Sequence, residues 1–283
     1  MNGLYNGLYD GLNNGSQNGL FDGLNNGLDN GLYSSDIGFD IDANRFIIAA
    51  EITSPIQKIA LTYLVKNLKS LNIWSKLIAI YPFIGGTATT HKFNLKNPRD
   101  LNAAFRLTFL GGWTHSQNGA LPNGTNANAD TYINVVSHLS QNNLHFSIYS
   151  RSNTTSNSVS IWNQTTGGNP CQLYTRFSNN FYSRVNDSGA TGPVTTNNDS
   201  RGFFISNRVS SIETRNFINK NLFIGSHPST GTVSNSFTLA GGSIMFDNRQ
   251  YAFSTFGQGL TDTDAVNLYN IVQNYQTLLG RQV

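Results

Sequence analysis

The chain begins with a tetrapeptide repeat that leaves few choices of fold for its first segment. From Asn2 to Tyr33, eight consecutive tetrads have the form Asn/Asp-Gly-Leu-x, and only Ser16 interrupts the leucine column. Four residues turn an α-helix by about 400°, so the leucines would drift around it, and a glycine in every tetrad would destabilise it. In an extended chain or in repeated tight turns, the leucines share one side. The repeat therefore predicts a turn-rich or extended arm.

This arm needs a partner, because a single ribbon has no second layer against which to bury its leucines. We expect residues 1–36 to attach the protein to other proteins or to further copies of itself. A flexible Gly/Asn linker is the alternative, but the strict register favours an ordered assembly arm. The contacts of the arm are predicted for Leu4, Leu8, Leu12, Leu20, Leu24, Leu28 and Leu32.

The composition limits the classes of function. Charged residues make up 12% of the 283 residues, about half the usual share, so the predicted surface is polar without being ionic. We expect no membrane insertion and no secretory signal, because long apolar runs and a basic start are absent from the sequence. The basic residues of segment 58–99 are too dispersed for a nucleic-acid surface. Cys171 is the one cysteine, which excludes an internal disulfide.

A first helix is signalled after the arm. Ser54 and Pro55 suit the cap and first position of a helix, and Gln57 suits the partner position of a capping box. Apolar residues then recur at helical spacing as far as Leu71. The apolar stretch 77–81 is predicted as a buried strand that ends before a proline.

The sequence pattern of the rest of the chain is typical of a β-sandwich followed by a C-terminal helix. Short β-branched and aromatic runs alternate with Asn/Gly/Ser/Thr loops, which predicts antiparallel strands. The runs lie at 105–109, 145–149, 158–162, 202–206, 222–225 and 242–246. A last helix is predicted over 261–280, begun by Thr261 and ended by Gly280. We thus expect a mainly β protein: the arm at 1–36, a helix-containing lead-in at 37–100 packed on the sandwich, and the sandwich with its C-terminal helix at 101–283.

Six stretches of this body resemble a family of virion structural proteins from tailed phages and other large DNA viruses. They read IWSKLIAIYPFIGG at 73–86, HKFNLKNPRD at 91–100, FRLTFLGGW at 105–113, NGALPNG at 118–124, SIYSR at 147–151 and LLGR at 278–281. The resemblance covers roughly residues 45–283, and the first stretch is its most specific part. It implies a concanavalin-like (laminin-G-like) jelly roll on the particle surface. The repeat arm is also similar to Asn-Gly-Leu arms of some viral proteins.

Catalytic groups are scarce in this sequence. Retaining glycosidases on concanavalin-like sandwiches need two close carboxylates. The chain has only Glu51 and Glu213 as glutamates, and neither lies in such a pattern. We therefore predict no catalytic residue and no enzymatic activity, and a polysaccharide-degrading enzyme is the least favoured alternative.

Metal and cofactor sites have equally little support. Asp40, Asp42, Asn44 and Glu51 mimic the spacing of a calcium loop, but Arg45 stands where such a loop requires glycine. We interpret this stretch as a polar turn ahead of a strand. The five histidines are scattered without paired ligand spacing. Neither a metal nor a cofactor is predicted.

Glycan binding stays open at this level. Trp113, Trp162, Tyr174 or Tyr182 could stack on a sugar, although each is more often a core or strand residue, so no sugar site is assigned. The preferred function is a non-enzymatic virion structural protein, a capsid or tail decoration, fibre or minor component, whose partners are other virion proteins and copies of itself. The alternative is a glycan-binding adhesin that contacts host surface polysaccharide.

Overall fold

The computed structural model describes residues 40–163, 168–187, 194–242 and 245–283, and within them the chain forms two antiparallel β-sheets packed face to face. These residues belong to a unit that begins at Asp40. The predicted arm, with all seven leucines of its column, lies outside the described residues, as does part of the strand predicted at 242–246.

The two sheets contain eight and seven strands. One has the order β13-β12-β11-β6-β15-β4-β3, with β1 also paired to β15, and the other has the order β10-β9-β8-β7-β14-β5-β2. The strands are β1 (Leu77–Tyr81), β2 (Thr108–Leu110), β3 (Trp113–Ser116), β4 (Gly119–Pro122), β5 (Asn128–Asp130), β6 (Leu144–Ser150), β7 (Ile161–Asn163), β8 (Cys171–Phe177), β9 (Asn180–Val185), β10 (Val194–Thr196), β11 (Gly202–Arg208), β12 (Thr214–Ile218), β13 (Asn221–Gly225), β14 (Thr238–Leu239) and β15 (Tyr251–Gly257).

The described residues also form five α-helices. They are α1 (Ile41–Ala49), α2 (Pro55–Ser70), α3 (Ala88–His91), α4 (Val135–His138) and α5 (Asp262–Leu278). One hydrophobic cluster joins α1, α2 and α5 to the eight-stranded sheet, and a second fills the space between the sheets. Phe203 belongs to the first cluster and Phe204 to the second, because successive strand residues face opposite sides. The central strands β6, β11 and β15 of the eight-stranded sheet are therefore buried on both faces.

The first predicted helix is confirmed in position but not in its cap. α2 begins at Pro55 after Ser54, yet the Ser54 side chain makes no capping hydrogen bond. The amide of Gln57 donates instead to the side chain of Gln117. The predicted capping box is therefore wrong, because the glutamine has a partner from a distant strand connection.

The last helix is confirmed together with its signals. The Thr261 side chain accepts from the main-chain N–H of Asp264 at 3.1 Å, and the Asp264 carboxylate accepts from the N–H of Thr261 at 3.0 Å. After the helix, Gly280 has a φ of +64°, a value that glycine adopts without strain. Both ends of α5 therefore follow from local chemistry.

The predicted strands are confirmed where the apolar run is long. The runs at 145–149, 202–206 and 222–225 lie within β6, β11 and β13, and β1 matches its prediction. Two predictions are wrong in part. Phe105 has a φ of +59° after a 3₁₀ turn, so the strand predicted from it starts only at Thr108. In the run at 158–162, Ser158 and Ser160 donate to Asp247, and the strand begins at Ile161.

The segment interpreted as a polar turn is the helix α1, so that prediction is wrong. Asp40 is its N-cap, and the Asp40 carboxylate accepts from the N–H of Asp42 at 2.8 Å. Ala43, Phe46 and Ile47 are buried on one side of the helix. Their helical spacing and the aspartate cap outweigh the resemblance of the polar residues to a loop.

Candidate binding face

The outer face of the seven-stranded sheet carries a continuous row of polar and aromatic side chains. Residues that pair across neighbouring strands form a row whose side chains all point to the same side of the sheet. The next row along the strands points to the opposite side, so a row next to a core row faces away from the core. The core row consists of Phe109, Ala129, Leu239, Ile161, Leu173 and Ser183. The adjacent outer row consists of Thr108, Asp130, Thr238, Trp162, Gln172 and Arg184.

A pair of tyrosines extends this outer face along β8 and β9. Tyr174 lies opposite Tyr182, and their ring centroids are 5.0 Å apart with an interplanar angle of 49°. The guanidinium carbon of Arg184 lies 5.9 Å from the Tyr182 ring centroid, within the range of a cation–π contact. Burial raises the pKa of Tyr174, so its hydroxyl stays neutral. Tyr182 and Arg184 are half-buried and reach the surface.

A chain segment lies against the aromatic residues of this face. A Cβ atom on Gly242 would stand 2.4 Å from the indole ring of Trp162, so the main chain passes directly over that ring. Further along, the sulfur of Met245 lies 3.9 Å from the Tyr174 hydroxyl. Trp162 is half-buried as a result. The face is therefore bounded by Gly242 and Met245 and open towards Tyr182.

The groups on this face suit the binding of carbohydrate. Aromatic rings offer flat apolar surfaces, and amide and guanidinium groups donate hydrogen bonds in fixed directions to oxygen atoms. Three of the four aromatic candidates from the sequence, Trp162, Tyr174 and Tyr182, lie on the three neighbouring strands β7, β8 and β9. Their grouping could not be predicted, because it depends on strand order.

The fourth candidate, Trp113, lies in the other sheet at a corner of the sandwich. Its indole N–H donates to the carbonyls of Leu110 and Asn128, both at 3.1 Å. Its ring packs against Phe109 and His115, with centroid distances of 5.1 and 6.1 Å. These contacts link the edge strands β2 and β3, so Trp113 has a structural role.

Two histidines form a hydrogen-bonded pair beside this corner. The N–H of Gly86 donates to Nε2 of His91 at 3.2 Å, so in the neutral ring the proton lies on Nδ1. That Nδ1 is 2.9 Å from Nδ1 of His115 and donates to it. Burial lowers the pKa of both histidines. The pair is therefore neutral and structural at ordinary pH.

The two aspartates of the calcium-like pattern, Asp40 and Asp42, form ion pairs with a lysine. Nζ of Lys69 lies 2.8 Å from an Asp40 oxygen and 2.6 Å from an Asp42 oxygen. Burial raises the pKa of Asp40, but the hydrogen bonds from Lys69 and from the helix main chain lower it by more. The net result is a pKa below the ordinary value for an aspartate. Within the described ranges, no group of three or more His, Cys, Asp or Glu side chains is placed to hold a metal ion.

The two glutamates lie in separate settings. Glu51 is exposed in the turn after α1, with a φ of +51°. Glu213 binds Arg215 at 2.9 Å, and the same guanidinium also binds Asp262 at the start of α5. Glu213 therefore belongs to an ion-pair network between β12 and α5.

Sequence reasoning missed a fully buried ion pair near this face. Arg249 and Asp247 are 2.7 Å apart with no exposed side-chain surface. Asp247 also accepts from Ser158 at 2.8 Å and from Ser160 at 2.6 Å, which holds the segment leading into β7. Burial raises the pKa of Asp247, but Arg249 and the hydroxyl donors lower it to below its ordinary value. The Asp-x-Arg spacing puts both groups on one side of an extended chain, and this was the available signal.

Another buried arginine connects three of the stretches quoted above. Arg281 donates to the carbonyls of Pro82 at 2.8 Å, Phe83 at 2.7 Å and Ala252 at 2.9 Å. Arg151 in turn donates to the carbonyl of Arg281 at 2.7 Å. These motif residues therefore fix the end of α5 on the sandwich.

Comparison with solved structures identifies β-sandwich domains of similar fold. A mutant of HCR/D aligns with a TM-score of 0.50 and 10% identity, over 70% of this chain and 52% of that chain. The botulinum neurotoxin serotype D binding domain gives 0.48 and 11%, over 70% and 52%. Domain 4 of AbnA, a GH43 extracellular arabinanase from Geobacillus stearothermophilus, in complex with arabinotriose, gives 0.43 and 13%, over 69% and 98%. At these identities the similarity concerns the fold alone.

No protein-family model matches the sequence, and the comparison with curated proteins gives no match. The alignments with HCR/D and with the neurotoxin domain span about half of each of those chains. Among the helices of the described residues, none has the length and apolar character needed to cross a membrane.

Proposed function

We propose that this protein is a non-enzymatic component of a virus particle that displays its sandwich, a concanavalin-like jelly roll, to bind a glycan of the host surface. The observation that carries the binding role is the outer face of the seven-stranded sheet. There Trp162 and Arg184 are half-buried in the same outer row, on either side of the buried Gln172, and Tyr182 lies two residues from Arg184 along β9. The virion assignment is supported by the family resemblance of residues 45–283.

An extended polysaccharide is the ligand class that suits this surface. A flat sheet face can contact several sugar units in succession, whereas a deep pocket encloses one small ligand. The half-buried rings of Trp162 and Tyr182 stack on the apolar sides of sugar rings, and the guanidinium of Arg184 binds their oxygen atoms. The polar, weakly charged composition of the chain fits contact with a neutral, hydrated polymer.

An array of host-surface polysaccharides probed with the full chain tests the glycan role. We expect saturable binding to a defined polysaccharide and a loss of affinity of at least about tenfold in Trp162→Ala or Tyr182→Ala, which corresponds to about 1.4 kcal/mol. Tyr269→Ala is the matched control, because Tyr269 is half-buried on α5, against the cluster on the helix side of the eight-stranded sheet. An array without saturable binding, or variants that bind like the unmodified protein, would contradict the proposal.

In this proposal, residues 1–36 attach the protein to the particle or to further copies by burying their leucines. Changing Leu8, Leu24 and Leu28 to Ser is expected to abolish incorporation into particles. The matched control changes three variable tetrad positions, Asn13, Gln17 and Asn25, to Ser. Normal incorporation of the leucine variant would show that the arm has no attachment role.

The second candidate is a virion structural component without a glycan ligand. It is favoured by the leucine register and by the family resemblance, which are independent of the outer face. A silent glycan array combined with failed incorporation of the leucine variant would support this candidate over the first.

A further inference from the structure

We infer that strand β13 is a dimerisation edge through which two copies of the chain join their eight-stranded sheets. β13 is the last strand of that sheet and has β12 on one side only. Its five residues are Asn-Leu-Phe-Ile-Gly, without a charge or a proline. Such edges readily pair with another strand unless charges, prolines or bulges protect them. This edge belongs to the eight-stranded sheet, whereas the candidate binding face belongs to the seven-stranded sheet.

Three of the other edges of the described sheets are shorter. β2 and β10, at the two ends of the seven-stranded sheet, have three residues each, and β3 has four. A short edge offers few free main-chain groups, which is one way in which proteins avoid strand addition. β1 also has five apolar residues and pairs only with β15, but segment 94–95 covers its other side. The N–H of Leu95 donates to the carbonyl of Ile80 at 2.8 Å, and the N–H of Ile80 donates to the Asn94 side chain at 2.9 Å. Among the described edges, β13 thus combines this length with an apolar sequence and an exposed Ile224.

The turn before β13 determines which of its main-chain groups are free. β12 and β13 are joined by the two residues Asn219 and Lys220, and Asn219 has a φ of +56°. In a two-residue hairpin, the pair that closes the turn exchanges hydrogen bonds, and every second pair after it does the same. The N–H and C=O groups of Leu222 and Ile224 therefore point away from β12.

A second copy of the same strand satisfies these groups about a two-fold axis. In an antiparallel arrangement, Leu222 of each copy pairs with Ile224 of the other copy. Each of these two pairs exchanges two hydrogen bonds, so the main chains form roughly four hydrogen bonds. Phe223 then lies opposite its own counterpart. The arrangement is self-complementary, and it closes at two copies.

The side chains agree with this pairing. Leu222 lies opposite Phe217 of the helix-side cluster, so Leu222 and Ile224 both lie on that side of the sheet. Ile224 is 54% exposed and Ile212, just before β12, is 65% exposed, which leaves apolar surface for the dimer to cover. Lys220 would lie opposite Ser226 of the second copy, so no like charges face each other.

Light-scattering mass of the full chain over a concentration series tests the dimer. We expect Ile224→Lys to have half the mass of the unmodified protein, because two lysines would be forced into the new apolar contact. Ile48→Lys is the matched control, since Ile48 is a 68% exposed isoleucine on α1, and its mass should not change. Equal unfolding midpoints of the two variants establish that both fold. An unmodified protein of 31.0 kDa at every concentration would overturn the inference, and so would equal masses for the unmodified and Ile224→Lys proteins.

Amide hydrogen exchange distinguishes a second copy from the protein's own arm as the occupant of this edge. We expect the amides of Leu222 and Ile224 to be protected more strongly as concentration rises, and to lose this protection in Ile224→Lys. In the full chain with Leu8, Leu24 and Leu28 changed to Ser, the protection should persist. Protection that is independent of concentration and disappears in that leucine variant would assign the edge to the arm and overturn the inference.

Discussion

The two sheets of this sandwich differ in how many of their faces are buried. Every residue of β6, β11 and β15 in the eight-stranded sheet is buried, because helices cover one face and the other sheet covers the second. In the seven-stranded sheet, β9 alternates between buried and half-buried residues along its length. The central strands of the eight-stranded sheet are thus buried on both faces, whereas β9 has one buried and one partly exposed face, so neighbouring residues of one strand have different surroundings.

The largest expected difference lies between two adjacent aromatic residues of β9. Phe181 is buried in the core between the sheets, so Phe181→Ala is expected to lower the free energy of unfolding by about 3–5 kcal/mol. Tyr182 lies on the outer face, and Tyr182→Ala should cost less than about 1 kcal/mol. Urea unfolding of both variants measures the difference. Similar losses would mean that the outer face is as tightly packed as the core.

The buried ion pair tests the same comparison with charges. Asp247→Ala leaves Arg249 buried without its partner, so we expect unfolding to be easier by about 3–5 kcal/mol. Asp199→Ala is the control, because Asp199 pairs with Arg201 on the surface, where solvent weakens the interaction and no measurable loss is expected. Equal midpoints of denaturant unfolding for the two variants would contradict a structural role of the buried pair.

The pH dependence of stability tests the burial of β6, a central strand of the eight-stranded sheet. Burial lowers the pKa of His145 to about 4, whereas an unfolded histidine titrates near about 6.5. Above about pH 6.5 the histidine is neutral in both states, so its burial costs no stability. Between about pH 6.5 and 4 the unfolded state binds a proton and the folded state does not, so the free energy of unfolding decreases. It should fall by about 3 kcal/mol between about 6.5 and 4 and then level off. His145→Gln should flatten this part of the profile measured by urea unfolding, and an unchanged profile would assign the loss to other groups.

The smallest expected effect concerns Gly242, which bounds the outer face of the seven-stranded sheet. Gly242→Ala places a methyl group against the rigid indole of Trp162, and overpacking of this kind costs about 1–3 kcal/mol. The control is the same change in a Trp162→Ala background, because the three atoms nearest to the new methyl group all belong to Trp162. Thermal unfolding should show a loss from Gly242→Ala with Trp162 present and a much smaller loss without it. Equal losses in the two backgrounds would mean that the cost does not arise from the contact with the indole.

The sequence predicted those elements whose signals are local. Thr261 and Gly280 mark the ends of α5, and the long apolar runs mark β6 and β11. α1 was missed because its aspartates and asparagine imitate a polar turn, although the Asp40 carboxylate in fact caps the helix.

The candidate site could be predicted by residue type but not by position. Trp162, Tyr174 and Tyr182 were selected as aromatic residues, and Trp113 was selected with them on the same grounds. Their separation into one open face and one structural corner depends on the order in which distant strands pair. Arg281 was likewise hidden, because its partners are main-chain carbonyls, which carry no side-chain signature.

The reactivity of the single cysteine depends on whether the core around it is closed or open. Cys171 is fully buried between the sheets, and burial raises the pKa of its thiol to about 12. Alkylating reagents react with the thiolate, which this environment suppresses. Alkylation at neutral pH therefore requires the core around Cys171 to open, so its rate follows that opening without any introduced label.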